Sequence, residues 1–388
     1  MQQGISLLTR CAGVVCALTV SVALVAMGTA ASAAGLPDHQ PAVPKGNQYT
    51  AFSNNGPYKP GVLFVTTQSG DTVVITYPVD PASTAGKSPY VINLLRWFTG
   101  SPTAPIPTGL PSTLPTTLTT DAYTDVPISS NGPFPVVLFS HGYGGYPQQS
   151  SFLTDHLATW GFVVVAPDHR SRDLHAVIAN TTGQGQNDVT DLRQALAYVT
   201  TMNATPGTAL SGKLDLTRVA SVGHSAGGGA AINVAKDKDI KAYIGLAPSP
   251  GTPPPSKPAM IMQGTSDKVV VPGGTTKLYA KLAAPKRLIL VDKAGHNVFD
   301  DGCTIGAAQG GLVAFVKELK LPSQFAAIAT DGCSAPDIAP PKAWPLIDQA
   351  VTAQLRWGLG IDKSPVGLGA GLDHAYPGVT ASVASSSS

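Results

Sequence analysis

Six short runs dominated by apolar residues punctuate the middle of the chain: Pro135–Phe139, Phe162–Ala166, Arg218–Val222, Ile240–Leu246, Ala259–Gln263 and Arg287–Val291. Their length and β-branched content predict strands. Three valines in a row, Val163 to Val165, fit a strand buried on both faces. Between these runs the apolar period lengthens. Leu153, Leu157 and Trp160 share one face of a helix predicted over Ser151–Trp160, and Val189, Leu192, Leu196 and Val199 share one face of a second over Asn187–Thr200. Further helices are expected over Thr275–Leu282 and Trp344–Trp357. Strand and helix alternating at this spacing predict an α/β fold with a mostly parallel, doubly wound sheet and helices on both faces.

The flanks have a different pattern. Gly61–Thr67 and Thr72–Tyr77 alternate around Gln-Ser-Gly-Asp and predict an antiparallel hairpin. Residues 34–60 read as an irregular arm. Residues 99–131, dense in Pro, Thr and Ser, read as a solvent loop because their apolar content is low, with a rim element over a site as the alternative. Residues 302–341 form an insertion carrying Cys303 and Cys333, and 361–388 read as a flexible tail. The main α/β domain is therefore expected over 61–360.

At the N-terminus, Arg10 precedes an apolar stretch from Cys11 to Met27, followed by Ala31-Ser32-Ala33. A positive end, an apolar segment and an A-x-A site predict a secretory signal over 1–33, cleaved after Ala33. A membrane anchor is the rival, but the run is short for a span and lacks a basic stop. The protein is thus expected outside the cell, without stable membrane insertion after signal removal. Cleavage leaves Cys303 and Cys333, and in an oxidising compartment the two are expected to pair. The closed loop of about 30 residues contributes roughly 3–4 kcal/mol in the chain-entropy account.

Charged residues make up 12% of the chain and the net charge is +2, with no basic stripe, so nucleic acid is not an expected partner. A monomer is expected. No dinucleotide fingerprint or Walker motif occurs, and no cofactor is expected. No metal site is expected either, because His141 and His169 lack ligand partners at metal-binding spacing.

The chemistry begins at Gly223-His224-Ser225-Ala226-Gly227, which closes the run Val219–Val222 and opens a stretch of small, helix-compatible residues. This is a G-x-S-x-G nucleophile elbow, whose small flanking residues permit a sharp strand-to-helix turn. A serine hydroxyl needs a base to become a nucleophile. In sheets of this kind chemistry gathers just past the strand ends, and the partners follow in the order Ser, acid, His. Asp267 lies beyond Ala259–Gln263 and is the candidate acid. His296 lies beyond Arg287–Val291 and is the candidate base; the other seven histidines lie in helices, in the tails or before the serine. Asp292 and Asp300 are rival acids, but neither follows its own strand. The oxyanion donors are expected to be the N–H of Ala226 and that of Tyr143, in the loop Ser140-His141-Gly142-Tyr143-Gly144-Gly145. Tyr143 and His224 are the expected substrate-binding residues.

With these residues the chain resembles an α/β-hydrolase, and within that superfamily the secreted bacterial relatives of platelet-activating factor acetylhydrolase and the polyester hydrolases of the cutinase kind. The resemblance rests on Pro133 to Tyr143, Gly161 to Arg170, the elbow, Gly264-Thr265-Ser266-Asp267 and Ala294-Gly295-His296. It implies a serine esterase working through an acyl-enzyme on small-molecule or polymeric esters: short to medium neutral esters, with polyesters as slow substrates. An acyltransferase, a phospholipid acetyl-ester hydrolase and a catalytically dead binding module are the alternatives. The insertions at 99–131 and 302–341 depart from compact cutinases, so substrate does not carry over with mechanism.

Overall fold

In the computed structural model, residues 40–103, 105, 116–184, 187–250, 256–307 and 311–387 are described. The expected signal segment and the start of the arm lie outside them, as does most of 104–115.

The strands are β1 (Lys59–Thr66), β2 (Thr72–Val79), β3 (Val91–Asn93), β4 (Thr117–Thr119), β5 (Phe134–Ser140), β6 (Val163–Pro167), β7 (Leu214–His224), β8 (Ile240–Leu246), β9 (Ala259–Gly264), β10 (Lys286–Val291) and β11 (Thr380–Ser386). The helices are α1 (Leu94–Trp97), α2 (Ser151–Thr159), α3 (Leu174–Ala179), α4 (Asp188–Ala204), α5 (Ala226–Val234), α6 (Pro272–Lys281), α7 (Gly311–Glu318), α8 (Ser323–Thr330), α9 (Pro340–Gly358) and α10 (Gly371–Ala375). Nine strands form one sheet in the order β1-β2-β6-β5-β7-β8-β9-β10-β11. From β6 to β10 neighbours run parallel, and the expected hairpin β1–β2 adds antiparallel at one end, with Val62 opposite Thr76. The chain reverses direction across the sheet at β5, so the crevice beyond the ends of β5 and β7 is where a ligand site is expected.

The two-residue period of the strands divides the core. Val137, Phe139, Val164, Val222, Ile244 and Met262 pack on one face against Leu153 and Leu157 of α2 and Leu346, Ile347, Ala350 and Val351 of α9. Val136, Leu138, Val163, Val165, Tyr243 and Ile261 pack on the other, against Leu192, Ala195 and Val199 of α4 and Leu278 of α6. Val163, Val164 and Val165 are each at most 1% exposed, as a doubly covered strand requires. Helix α4 starts where Asn187 caps the Thr190 N–H, with Asp188 and Asp191 in its first turn. No described helix is long and apolar enough to cross a membrane.

Two expectations are corrected. The tail is ordered: β11 pairs antiparallel with β10, with Val383 opposite Ile289. Its Ser/Ala composition carries little apolar pattern, but an open sheet edge binds backbone rather than side chains. The described part of 99–131 is not a solvent loop, since β4 pairs with β3, and Thr116, Thr120, Ala122, Val126 and Ser129 are buried. The 302–341 insertion folds into α7 and α8. With α1 and α3 these helices form a third apolar cluster that includes Ile92, Leu94, Trp97, Leu174, Phe315 and Phe325. Cys303 and Cys333 are joined within this insertion, with Cα atoms 4.9 Å apart.

Candidate active site

Ser225 sits at the junction of β7 and α5 with φ 57° and ψ −121°, a conformation costly for any residue with a Cβ. The elbow glycines make it possible. A Cβ on Gly223 would lie 2.1 Å from the Gly227 carbonyl oxygen, and one on Gly227 would lie 2.0 Å from the Ser140 carbonyl oxygen. Neither position admits a side chain. The strained turn is held by Ser225 N–H donating to the Leu246 carbonyl and by Ser249 N–H donating to the Ser225 carbonyl, each at 2.9 Å. Ala226 is the first residue of α5, so its N–H has no partner within the helix.

Asp267, just past β9, has an entirely buried side chain and accepts four hydrogen bonds. Val269 and Val270 N–H groups donate to one oxygen at 2.8 Å, and Gln263 Nε2 and His296 Nδ1 reach the other at 2.9 Å. His296 is 1% exposed, and its Nδ1 is oriented by that carboxylate. The rival Asp300 lies 3.6 Å from His224 instead and accepts from Gly302 N–H. Burial pushes its carboxyl well above the usual range. Asp292 uses its N–H on the Val379 carbonyl.

A hydrogen-bonded chain ties the three strand-end loops together. Gly142 N–H donates to Gln149 Oε1 at 2.7 Å, Gln149 Nε2 donates to His224 Nδ1 at 2.8 Å, and His224 Nε2 donates to the His296 carbonyl at 3.2 Å. The chain sets the His224 tautomer, and burial together with the adjacent His296 ring, 4.6 Å away, pushes its pKa well below the ordinary value. His224 lines the cleft, but both its nitrogens are used within the protein, so it offers a substrate only a ring face.

Ser225, His296, His224, Gly142 and Tyr143 line one cleft of about 640 Å³. Its apolar wall comes from the satellite cluster: Leu94, Leu174, Ile305, Leu312, Phe315 and Phe325. The Phe325 ring occupies the place a side chain at Gly144 would take. Helix α8 is fastened to the histidine loop, because the His296 N–H donates to Asp331 Oδ2 at 2.7 Å and Asn297 Nδ2 donates to the Ile328 carbonyl at 2.8 Å. Tyr143 is 39% exposed and also lines a second groove with Ser225, Pro248, Val269, Val270 and Val271.

A second Ser–His–Asp alignment lies beneath. Ser140 Oγ is 2.8 Å from His169 Nε2, and His169 Nδ1 is 2.9 Å from Asp191. The expectation that His169 lacks ligand-type neighbours is corrected: it, Asp188 and Asp191 bring three such atoms within 4.8 Å of one another. The helical turn from Asp188 to Asp191 delivers both carboxylates to the end of β6, which linear spacing concealed. The ring is satisfied by Ser140 and Asp191, while Arg172 pairs with Asp188 at 2.7 Å. Ser140 and His169 are 0% exposed, and neither lines the cleft. Sequence reading missed Gln149, Arg172, Asp331 and Gln263, polar residues with no motif around them.

The cutinase est2 of Thermobifida alba is 32% identical over 120 residues, which cover 30% of this chain and 36% of that protein. Cutinase 2 of Thermobifida cellulosilytica is also 32% identical over 120 residues, 30% of this chain and 41% of the relative. The bis(hydroxyethyl) terephthalate hydrolase of Streptomyces coelicolor is 29% identical over 146 residues, 36% of this chain and 42% of that enzyme. The chain thus spans less than half the length of these relatives. The profile of the PET hydrolase-like (PETase) family matches residues 122–319, just over half of the chain, from the approach to β5 through the elbow, Asp267, His296 and α7. With the doubly wound sheet and the serine elbow at its switch point, that match places this chain in the PET hydrolase-like family.

Proposed function

We propose that this protein hydrolyses carboxylic esters, with Ser225 as nucleophile, His296 as general base then acid, and Asp267 orienting His296. The observation that carries the reading is the convergence on one cleft of a serine in a strained elbow and a histidine whose Nδ1 is bound to a buried carboxylate. With Nδ1–H donated to Asp267, Nε2 of His296 is the acceptor for the Ser225 proton. Ser225 Oγ attacks the ester carbonyl, and the N–H groups of Tyr143 and Ala226 receive the oxyanion. His296 passes the proton to the leaving alkoxide. Water, deprotonated by the same nitrogen, then resolves the acyl-enzyme and frees Ser225. The relatives named as cutinases and as a terephthalate ester hydrolase support the reaction class.

The substrates are short to medium neutral esters, with polyesters slower. None of the described residues lining the cleft is Lys or Arg, and the wall of Leu, Ile and Phe suits an apolar acyl group. The groove along Val269 to Val271 leaves room for the alcohol side. Ser140 is assigned a structural role, because no substrate reaches a fully buried hydroxyl. Residues 1–33 direct export, and the Cys303–Cys333 bridge supports an oxidising compartment. A fluorophosphonate tests the centre: peptide mapping should find the label on Ser225 and not on Ser140. Labelling at Ser140, or none, would reject the assignment. p-Nitrophenyl esters of increasing chain length and a polyester film rank the substrates, and N-terminal sequencing of exported protein should begin at Ala34.

A further inference from the structure

We infer that Arg172 is a positioning residue for the oxyanion donor: it clamps both peptide planes that flank Tyr143 and thereby aims the Tyr143 N–H into the cleft. The inference rests on the ester-hydrolase reading of the same site.

The geometry begins with the peptide bond between Gly142 and Tyr143. A trans peptide is planar, so its C=O and N–H point in opposite directions. The Gly142 carbonyl accepts from Arg172 Nη1 at 2.7 Å, and His141 Nδ1 at 2.9 Å and Gly145 N–H at 3.2 Å converge on the same oxygen. Arg172 Nη1 also donates to the His141 carbonyl. With the Gly142 oxygen turned toward the buried guanidinium, the Tyr143 N–H faces the other way. Gly142 itself lies against the nucleophile, since a Cβ there would be 3.4 Å from Ser225 Cβ. The next peptide is held by the same residue, because Gly144 N–H donates to the Arg172 carbonyl at 2.7 Å. One residue therefore fixes the plane on each side of Tyr143, once by its side chain and once by its backbone.

Arg172 is itself immobilised. It is 7% exposed, its Nε donates to Asp188 Oδ2 at 2.7 Å, and its Nη2 donates to Ser140 Oγ at 3.2 Å. This gives the buried Ser140–His169–Asp191 alignment a purpose: it packs the guanidinium that holds the loop. A cation on the carbonyl end of a peptide also polarises its N–H, because hydrogen bonds in series strengthen one another. The Tyr143 N–H is then both aimed and sharpened before substrate arrives, the preorganisation an oxyanion hole needs.

The test uses Arg172→Met and Arg172→Lys in the full exported protein. The Met variant removes the guanidinium from Asp188 and from the His141 and Gly142 carbonyls, leaving the Gly142 oxygen only His141 Nδ1 and Gly145 N–H. The Lys variant keeps the charge but loses the fork, and it decides the matter if the Met variant does not fold. Active sites are counted by fluorophosphonate label on Ser225, so every rate is per competent site. The expected result with p-nitrophenyl butyrate is kcat per labelled site lower by about 10- to 100-fold, with KM within about threefold, since the lost interaction acts on the transition state. The Ki of butylboronic acid, which places a tetrahedral oxygen in the hole, should rise by a similar factor. An unchanged kcat per labelled site would overturn the inference, whether or not the labelled fraction falls. A kcat loss with an unmoved boronate Ki would also overturn it. In both cases the label on Ser225 leaves the triad reading standing. Absence of label in the unsubstituted protein would reject both together.

Discussion

Two regions meet at the cleft and are built on opposite principles. The sheet from β6 to β10 draws its core from strands of near-continuous apolar residues, packed through a strict two-residue period against amphipathic helices. The wall of α1, α3, α7 and α8 draws its core from scattered residues: Ile92 to Trp97, Tyr146, Leu174, Ile305, Phe315 and Phe325. None of these short segments buries a face alone. They hold together through the Cys303–Cys333 bridge and through Asp331 and Asn297 on the histidine loop. The difference separates two tasks. The regular half places the groups of the proposed chemistry at strand ends, where backbone geometry is stiff. The irregular half shapes what enters, and it is fastened to the strand-end loops through Asp331 and Phe325.

The sharpest way to break this division is at the strand ends. Ser225→Ala and His296→Ala should each lower kcat/KM for p-nitrophenyl esters on the order of 10⁴-fold or more, with an unchanged circular dichroism spectrum. Asp267→Asn should cost somewhat less, and Asp300→Asn little, because Asp300 faces His224 and not the His296 ring nitrogen held by Asp267. A silent Asp267→Asn with an inactive Asp300→Asn would reverse the acid assignment.

The wall should show the opposite profile. Phe325→Ala removes a buried ring that lies against Gly144 and lines the cleft. It should cost about 3 kcal/mol of local stability and raise KM for butyrate esters several-fold while leaving kcat for acetate esters within about threefold. Reduction of Cys303–Cys333 should raise hydrogen exchange in α7 and α8 and leave β5 to β9 protected. Equal deprotection of the sheet would mean the two regions unfold as one.

Tyr143 lies on the boundary. Its N–H belongs to the proposed chemistry and its exposed ring to the walls of both grooves. Tyr143→Ala should therefore raise KM for bulky esters more than for acetate esters, by a few-fold. Equal loss on both would place the ring outside the substrate site.

The smallest effect belongs to the sheet's own packing. His156 on α2 is 3% exposed and 3.8 Å from Asp348 of α9, and burial lowers its pKa to about 3. Above pH 6.5 it is neutral folded and unfolded. Below that the unfolded chain takes up a proton that the native state refuses, so stability falls as pH drops from 6.5 toward 3. The contribution is at most one proton, about 1.4 kcal/mol per pH unit. His156→Gln should flatten the decline in urea-unfolding free energy between pH 6.5 and 5 by up to that slope; His141, whose pKa burial also lowers to about 3, keeps the remainder steep. An identical slope in the variant would show that His156 protonates in the native state.

The sequence by itself determined the alternating core, the hairpin at its edge, the serine elbow, the order Ser225, Asp267, His296 and the glycine loop at Tyr143. Each of these follows from local rules: period, turn chemistry, or the position of a residue just past a strand. Tertiary structure alone decided the rest. It turned Asp300, far nearer to His296 in sequence than Asp267, onto His224 and seated Asp267 on His296 Nδ1, because the path of each loop decides which ring its carboxylate reaches. It made an ordered edge strand of a Ser-rich tail, because β10 offered unpaired backbone. It assembled the apolar wall from segments too short to carry a period, and it brought Gln149 and Arg172 to the glycine loop at Tyr143 through contacts between polar side chains and backbone atoms. A single Gln or Arg has no neighbours in sequence that announce such a contact, since its partners are carbonyls and N–H groups that every residue possesses.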